Sequence, residues 1–304
     1  IVEALLYEVE TIRKEPVRKY SVAVPIGVSL EIFVQTPQSY SIDGNQAVIF
    51  DFIEFTRQYL PKKTINGRQA IDMGALKAPG FDVDKMLIRG PVFLVSEIYA
   101  RDSWQAAIES RIHIDLFFSL LDLWSGVVPL GNYPLSQCPN PTLCFVFEEP
   151  ASKPEYFGGW ASHDLLPFHF NPFLFSKIVD SMNSIRDTEV WSVIKDSLVA
   201  FRRAMSQATA EESLIHFWTA CEISVALRNR KIRDDDAAKV MQKIFTGAWY
   251  GFPEQAQTIL GLRNKILHEG ISEVQLHHVS FSYYLFKSLI ALLLEYSKKG
   301  KNLQ

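Results

Sequence analysis

A chain of 304 residues that is 48% apolar and 21% charged carries enough hydrocarbon for one large domain or two ordinary ones. A net charge of -3 and a pI near 6.2 exclude a nonspecific coat for polyanions but leave room for a local basic cleft. Cys138, Cys144 and Cys221 form no CxxC pair, which suits free thiols in a reducing cytoplasm; Cys138 and Cys144 are close enough in sequence to approach each other, but no zinc site and no cofactor are expected.

The opening "IVEALLYEVETIRKE" has acids inside its apolar run, unlike a secretory leader. Residues 20–35, 46–50, 91–99 and 142–149 are rich in Val, Ile and Phe and bounded by turn residues, so strands are expected there. Residues 103–124 place Ala, Ile, Leu and Phe at three- and four-residue spacing and predict a helix. Residues 1–168 therefore read as an α+β domain. The stretch 140–172 is dense in Pro, Gly and aromatic residues and reads as a surface connector; His163 and His169 within it read as structural or solvent-facing.

Residues 169–304 read as an all-α bundle, so that the chain as a whole is mainly α with a smaller β component. Helices are expected near 173–185, 188–206, 209–229, 235–249, 253–269 and 275–298, and the short loops between them imply antiparallel packing. Asp187 or Thr188, Thr209 and the "RDDD" run supply N-caps, and Gly270 supplies a left-handed stop. The apolar run "VSFSYYLFKSLIALLLEYSKK" contains Lys287 and ends in charge, so it reads as a buried helix rather than a membrane span.

No Gly-rich phosphate loop, HExxH, GxSxG or carboxylate-rich cluster is present. What remains is "LRNKILHEG" (262–270), with Arg263 and His268 in the spacing Arg-x4-His. The bare spacing is common by chance, and context raises it. Asn264 and His268 share a helix face one turn apart. His268 stands in the last turn, where the helix dipole favours a cation. The stretch also precedes a long final helix.

Together with "AEESLIHFWTACEISVAL" (210–227), this stretch resembles a HEPN domain of the Apea-like branch: a helix with Trp218 and Glu222, then Arg263, polar Asn264 and His268 before the last helix. The resemblance spans roughly residues 173–298. It implies a HEPN-like bundle that dimerises with two motifs facing each other, and an endoribonuclease that needs no metal, of a bacterial antiviral-defence or toxin type. Non-catalytic members bind RNA, nucleotide or a partner protein instead, and that alternative stays open. Trp218 reads as a core residue.

The chemistry of the side chains agrees with this. RNA cleavage without a metal takes a proton from the 2′-hydroxyl and gives one to the leaving 5′-oxygen, and imidazole does both near neutral pH. A guanidinium matches the charge that gathers on the nonbridging oxygens. His268 is expected as general acid or base, Arg263 as transition-state stabiliser, and Asn264 as the group that orients His268 or contacts phosphate. Lys265, Arg228, Arg230 and Glu222 are the expected substrate-binding residues, with positioning of Arg263, or a plain place on the helix surface, as the alternatives for Glu222. The basic run 228–233 meets three Asp at once, so a solvated corner competes with RNA tracking, and Arg202 and Arg203 are weaker candidates for that role. His277 and His278 read as non-ligating. On one helix Arg263 and His268 point about 140° apart, which favours two copies around one phosphate. RNA, a second copy of the chain, and an activator or inhibitor at the N-terminal domain are the expected partners, with no membrane.

Overall fold

The computed structural model describes residues 15–26, 28–29, 37–79, 81, 92–124, 143–158, 168–169, 171–226, 234–245, 252–270 and 273–298. Among them are eight α-helices and one six-stranded antiparallel sheet, a mixed α+β protein. The chain divides into two compact units, Ile1–Asp115 with Cys138–Pro172, and Leu116–Gln137 with Phe173–Gln304.

In the first unit the strands are β1 (Arg18–Ile26), β2 (Val28–Ser29), β3 (Gln38–Ile42), β4 (Asn45–Asp51), β5 (Lys62–Ile65), β6 (Arg68–Ile71), β7 (Val92–Ala100), β8 (Cys144–Phe147), β9 (Glu155–Phe157) and β10 (Phe168–His169). The main sheet runs β3-β4-β7-β1-β8-β9, and β1 pairs with β7 along its whole length, from Arg18 opposite Ala100 to Ile26 opposite Val92. Successive strand residues face opposite ways, so the sheet has two apolar faces. Ala23, Phe93, Val95, Phe145 and Phe147 pack on one face against helix α1 (Phe52–Tyr59), whose Phe55 stacks on Phe93 at 3.9 Å. Tyr20, Val22, Ile98 and Val146 pack on the other against Ala106 of helix α2 (Ser103–Trp124). Asp51 caps α1 by accepting the Glu54 N–H at 2.8 Å.

Two expectations change here. Residues 20–35 are not one strand: β1 ends at Ile26, and β2 pairs in parallel with β10 outside the main sheet. The 140–172 stretch is more than a connector, because β8 and β9 complete the sheet edge and Phe145, Val146 and Phe147 are buried in it. The continuous apolar run Leu143–Phe147 outweighs the flanking turn residues there. The β3–β4 hairpin turns through Asp43-Gly44 and the β5–β6 hairpin through Asn66-Gly67, all four with positive φ, the geometry of a tight type I′ turn.

The second unit holds the last part of α2 together with α3 (Pro172–Asn183), α4 (Glu189–Met205), α5 (Ala210–Val225), α6 (Asp234–Phe245), α7 (Phe252–Glu269) and α8 (Leu276–Lys298), close to the expected helices. Pro172 itself falls in the first unit. Helix α5 is the hub, packing against α4, α6, α7 and α8. Its Phe217 and Trp218 are buried, Phe217 meets Phe201 of α4 and Tyr283 of α8, and Phe201 stacks on Phe286 at 4.7 Å. Thr209 caps α5, accepting the Glu212 N–H at 3.3 Å and donating to the Glu212 carboxylate at 3.2 Å. Thr188 occupies the N-cap of α4 without a side-chain cap bond; its hydroxyl donates instead to the Ile185 carbonyl.

Arg202 is not an RNA-tracking residue. It lies on the Leu198–Phe201–Met205 face of α4, buried, bonded to the Asp122 carboxylate at 2.7 Å and 4.9 Å from the Phe118 ring centroid. The long apolar segment in α8 buries Val279, Tyr283, Phe286, Leu289 and Ile290 inside the unit. Among the described residues no helix is long and apolar enough to cross a membrane.

Candidate functional site

The motif lies on α7, which runs unbroken from Phe252 through His268 to Glu269. Gly270 ends it with φ 67°, and its N–H bonds the Ile266 carbonyl at 3.2 Å. This is the left-handed stop that a residue with a Cβ adopts only at a cost.

Four side chains from two helices form a connected chain. On α5 the Trp218 indole N–H donates to Glu222 Oε1 at 2.6 Å, one turn along the same face. Glu222 Oε2 lies 3.9 Å from Arg263 Nη2 on α7. Arg263 Nη1 in turn donates to Asn264 Oδ1 at 3.1 Å. The Arg263 and Glu222 side chains are 15% and 18% exposed, sheltered but reachable by solvent. Packing of α5 against α7 holds this chain, and Ile259 and Leu262 of α7 are buried.

His268 is exposed and shares its helix face with Asn264. Because α7 does not break between them, Arg263 and His268 leave the axis about 140° apart. The guanidinium reaches Asn264 and so bends toward the face that His268 occupies. Lys265 is exposed and 3.3 Å from Glu273. Leu267, beside His268, is 49% exposed, and Leu276 and Tyr284 of α8 are exposed apolar residues in the same unit.

Of the expected site residues, Glu222, Arg263 and Asn264 are brought together, while His268 and Lys265 stand out to solvent. Arg228 and Arg230 lie outside the described residues, as do Cys138 and His163, and the side chain of His169 is likewise not described. Trp218 is in the core as expected, and it also serves as a hydrogen-bond donor to Glu222. Spacing of four between Trp218 and Glu222 was the available signal for that second role.

Other titratable groups have other settings. His277 and His278 lie with ring centroids 3.9 Å apart, and His278 Nδ1 accepts the Gln275 N–H at 3.1 Å. Burial, reinforced by His277, lowers the His278 pKa. Burial and then Arg203 lower that of His216, against a smaller opposite pull from Glu212. Burial pushes the Cys144 thiol up to about 11 and raises Cys221 well above its ordinary value, so neither is a thiolate near neutral pH. Among the described residues no three His, Cys, Asp or Glu side chains converge as metal ligands would.

No protein-family model, curated protein or solved structure matches this chain.

Proposed function

We propose that the second unit is a HEPN-like endoribonuclease module that cleaves RNA without a metal and acts as a homodimer, in a cytoplasmic defence or toxin role. The observation that carries the reading is the Trp218–Glu222–Arg263–Asn264 chain, which orients a sheltered guanidinium beside the helix face of an exposed imidazole. In this reading the RNA 2′-oxygen attacks phosphorus and the bond from phosphorus to the 5′-oxygen breaks. One His268 imidazole takes the 2′ proton, and a protonated imidazole returns one to the 5′-oxygen. The products are a 2′,3′-cyclic phosphate and a 5′-hydroxyl. Arg263 stabilises the charge on the nonbridging oxygens, and Asn264 orients the pair. The divergence of Arg263 and His268 on one unbroken helix supports pairing with a second copy, and the exposed Leu267, Leu276 and Tyr284 supply apolar surface for it. The first unit then carries the contact for an activator or inhibitor.

The Glu222 carboxylate beside Arg263 favours a second reading, a non-catalytic module that binds RNA, nucleotide or a partner protein with the guanidinium already satisfied. The test is cleavage of a labelled, structured RNA pool by the wild type and by His268→Ala, with EDTA throughout. Cyclic-phosphate ends from the wild type, lowered about 10²–10⁴-fold in the variant while the fold is kept, are expected. Undiminished cleavage by the variant would remove His268 from the chemistry. No turnover by the wild type, with RNA affinity weakened in the variant, would favour the binding module.

A further inference from the structure

The β5–β6 hairpin is set apart from the main sheet and every residue from Lys62 to Gln69 is exposed. Its base is fixed. Asp72 N–H bonds the Pro61 carbonyl at 2.7 Å, and the Asp72 carboxylate bonds Lys63 at 2.6 Å and the Gly74 N–H at 3.1 Å. The short 3-10 turn that follows (Met73–Leu76) anchors it through buried Leu76. Its tip is the tight Asn66-Gly67 turn.

Charge is concentrated here. Residues 61–79 carry Lys62, Lys63, Arg68 and Lys77 against the single carboxylate of Asp72, a local charge of +3 in a chain whose net charge is -3. Asp72 is taken up by Lys63. The side chains of Lys62 and Arg68 make no hydrogen bond or ion pair with any group among the described residues.

The register sorts the side chains. Lys62 pairs with Ile71 and Thr64 with Gln69, so Lys62, Thr64 and Gln69 share one face; Lys63, Ile65, Arg68 and Ala70 share the other. No aromatic side chain lies in the hairpin, so it offers no platform for stacking unpaired bases. Lysine and arginine suit phosphate, and a threonine hydroxyl opposite a glutamine amide suits the sugar 2′-hydroxyl. The wide, shallow minor groove of an A-form duplex presents those two groups together.

We infer that the Lys62–Ile71 hairpin is a binding arm for double-stranded RNA that enters the groove edge-on, with Lys62, Thr64 and Gln69 on one face meeting phosphate and the 2′-hydroxyl edge, and Arg68 on the opposite face meeting phosphate across the groove. The inference rests on the RNA reading above and names its substrate class as duplex RNA.

The test uses the full chain carrying His268→Ala, with EDTA, so that binding is read without cleavage. Fluorescence anisotropy follows an RNA duplex of about 20 base pairs, long enough for two minor grooves, a DNA duplex of the same sequence and one RNA strand alone. A duplex contact with one phosphate contributes a slope of about 0.9 in log affinity against log salt, or about eightfold at 0.1 M. Adding Lys62→Ala and Arg68→Ala together should weaken duplex-RNA binding by at least about tenfold and reduce the salt slope by about two. Lys62→Arg with Arg68→Lys should restore both, and an unchanged unfolding midpoint would show that the fold is intact. Undiminished affinity in the alanine variant, no binding of duplex RNA, or preference for DNA or the single strand would overturn the inference. If the wild type never cleaves but the alanine variant loses duplex binding, the catalytic reading fails and the arm stands.

Discussion

Two arginines of the helical unit face carboxylates in different ways. Arg202 meets Asp122 at 2.7 Å with both side chains almost fully buried, 1% and 5% exposed. Asp122 is also tied down by Tyr283, whose hydroxyl donates to its carbonyl at 3.1 Å, and the Arg202 guanidinium lies over Phe118. Arg263 stands 3.9 Å from Glu222 in a setting 15% and 18% exposed, with a lighter bond to Asn264. A buried pair with good geometry commits its cation to the fold, because separating it strands a charge in a low dielectric. A longer, solvent-reached pair leaves the guanidinium oriented and exchangeable. The contrast separates an arginine that holds helices together from one suited to meeting a phosphate.

Breaking the tight pair should have the largest effect on stability. Asp122→Ala leaves Arg202 buried without its carboxylate and should cost about 3–5 kcal/mol, read from the denaturant midpoint. A loss below about 1 kcal/mol would mean that water reaches Arg202 after the change and that the two pairs are alike.

A smaller effect comes from pH. His216 and His278 both have a lowered pKa, so the folded state prefers them neutral while the unfolded chain titrates near 6.5. Their stabilisation is complete above that value and is lost as pH falls through their folded values. The thermal midpoint should therefore drop between pH 7 and pH 5, and His216→Gln should flatten that drop. An equally steep profile in the variant would assign the effect to other groups.

At the far end stands Lys265 with Glu273, 3.3 Å apart and 47% and 63% exposed. Lys265→Ala should change stability by no more than about 0.5 kcal/mol, while lowering the salt slope of RNA binding by about one unit. An unchanged slope would remove Lys265 from the substrate-binding set.

Much of the helical unit is legible in the chain. The periodicity of α4, α5, α7 and α8 marks their extents, and Gly270 marks a stop that its φ of 67° bears out. Trp218 falls on the buried side of α5 as its spacing implies. The burial of Arg202 was available from the helical wheel, since Leu198, Phe201 and Met205 flank it, but its partner Asp122 is 80 residues distant and no local pattern announces it. The same limit applies to the site: Glu222 and Arg263 belong to different helices, and only packing of α5 on α7 decides that they meet. In the first unit Asp43-Gly44 and Asn66-Gly67 are strong local hairpin signals. They predict the β3–β4 and β5–β6 pairs more directly than the Val-, Ile- and Phe-rich runs do. The joining of β8 to β1 depends on pairing across more than a hundred residues, which composition does not encode.

The most direct test of the contrast is Arg263→Ala, measured for unfolding free energy and for RNA cleavage in EDTA on the same preparation. A loss of about 1 kcal/mol or less in stability with a fall of about 10²–10³-fold in cleavage is the predicted result. A stability loss as large as that of Asp122→Ala with cleavage unchanged would contradict it and make Arg263 a second structural arginine.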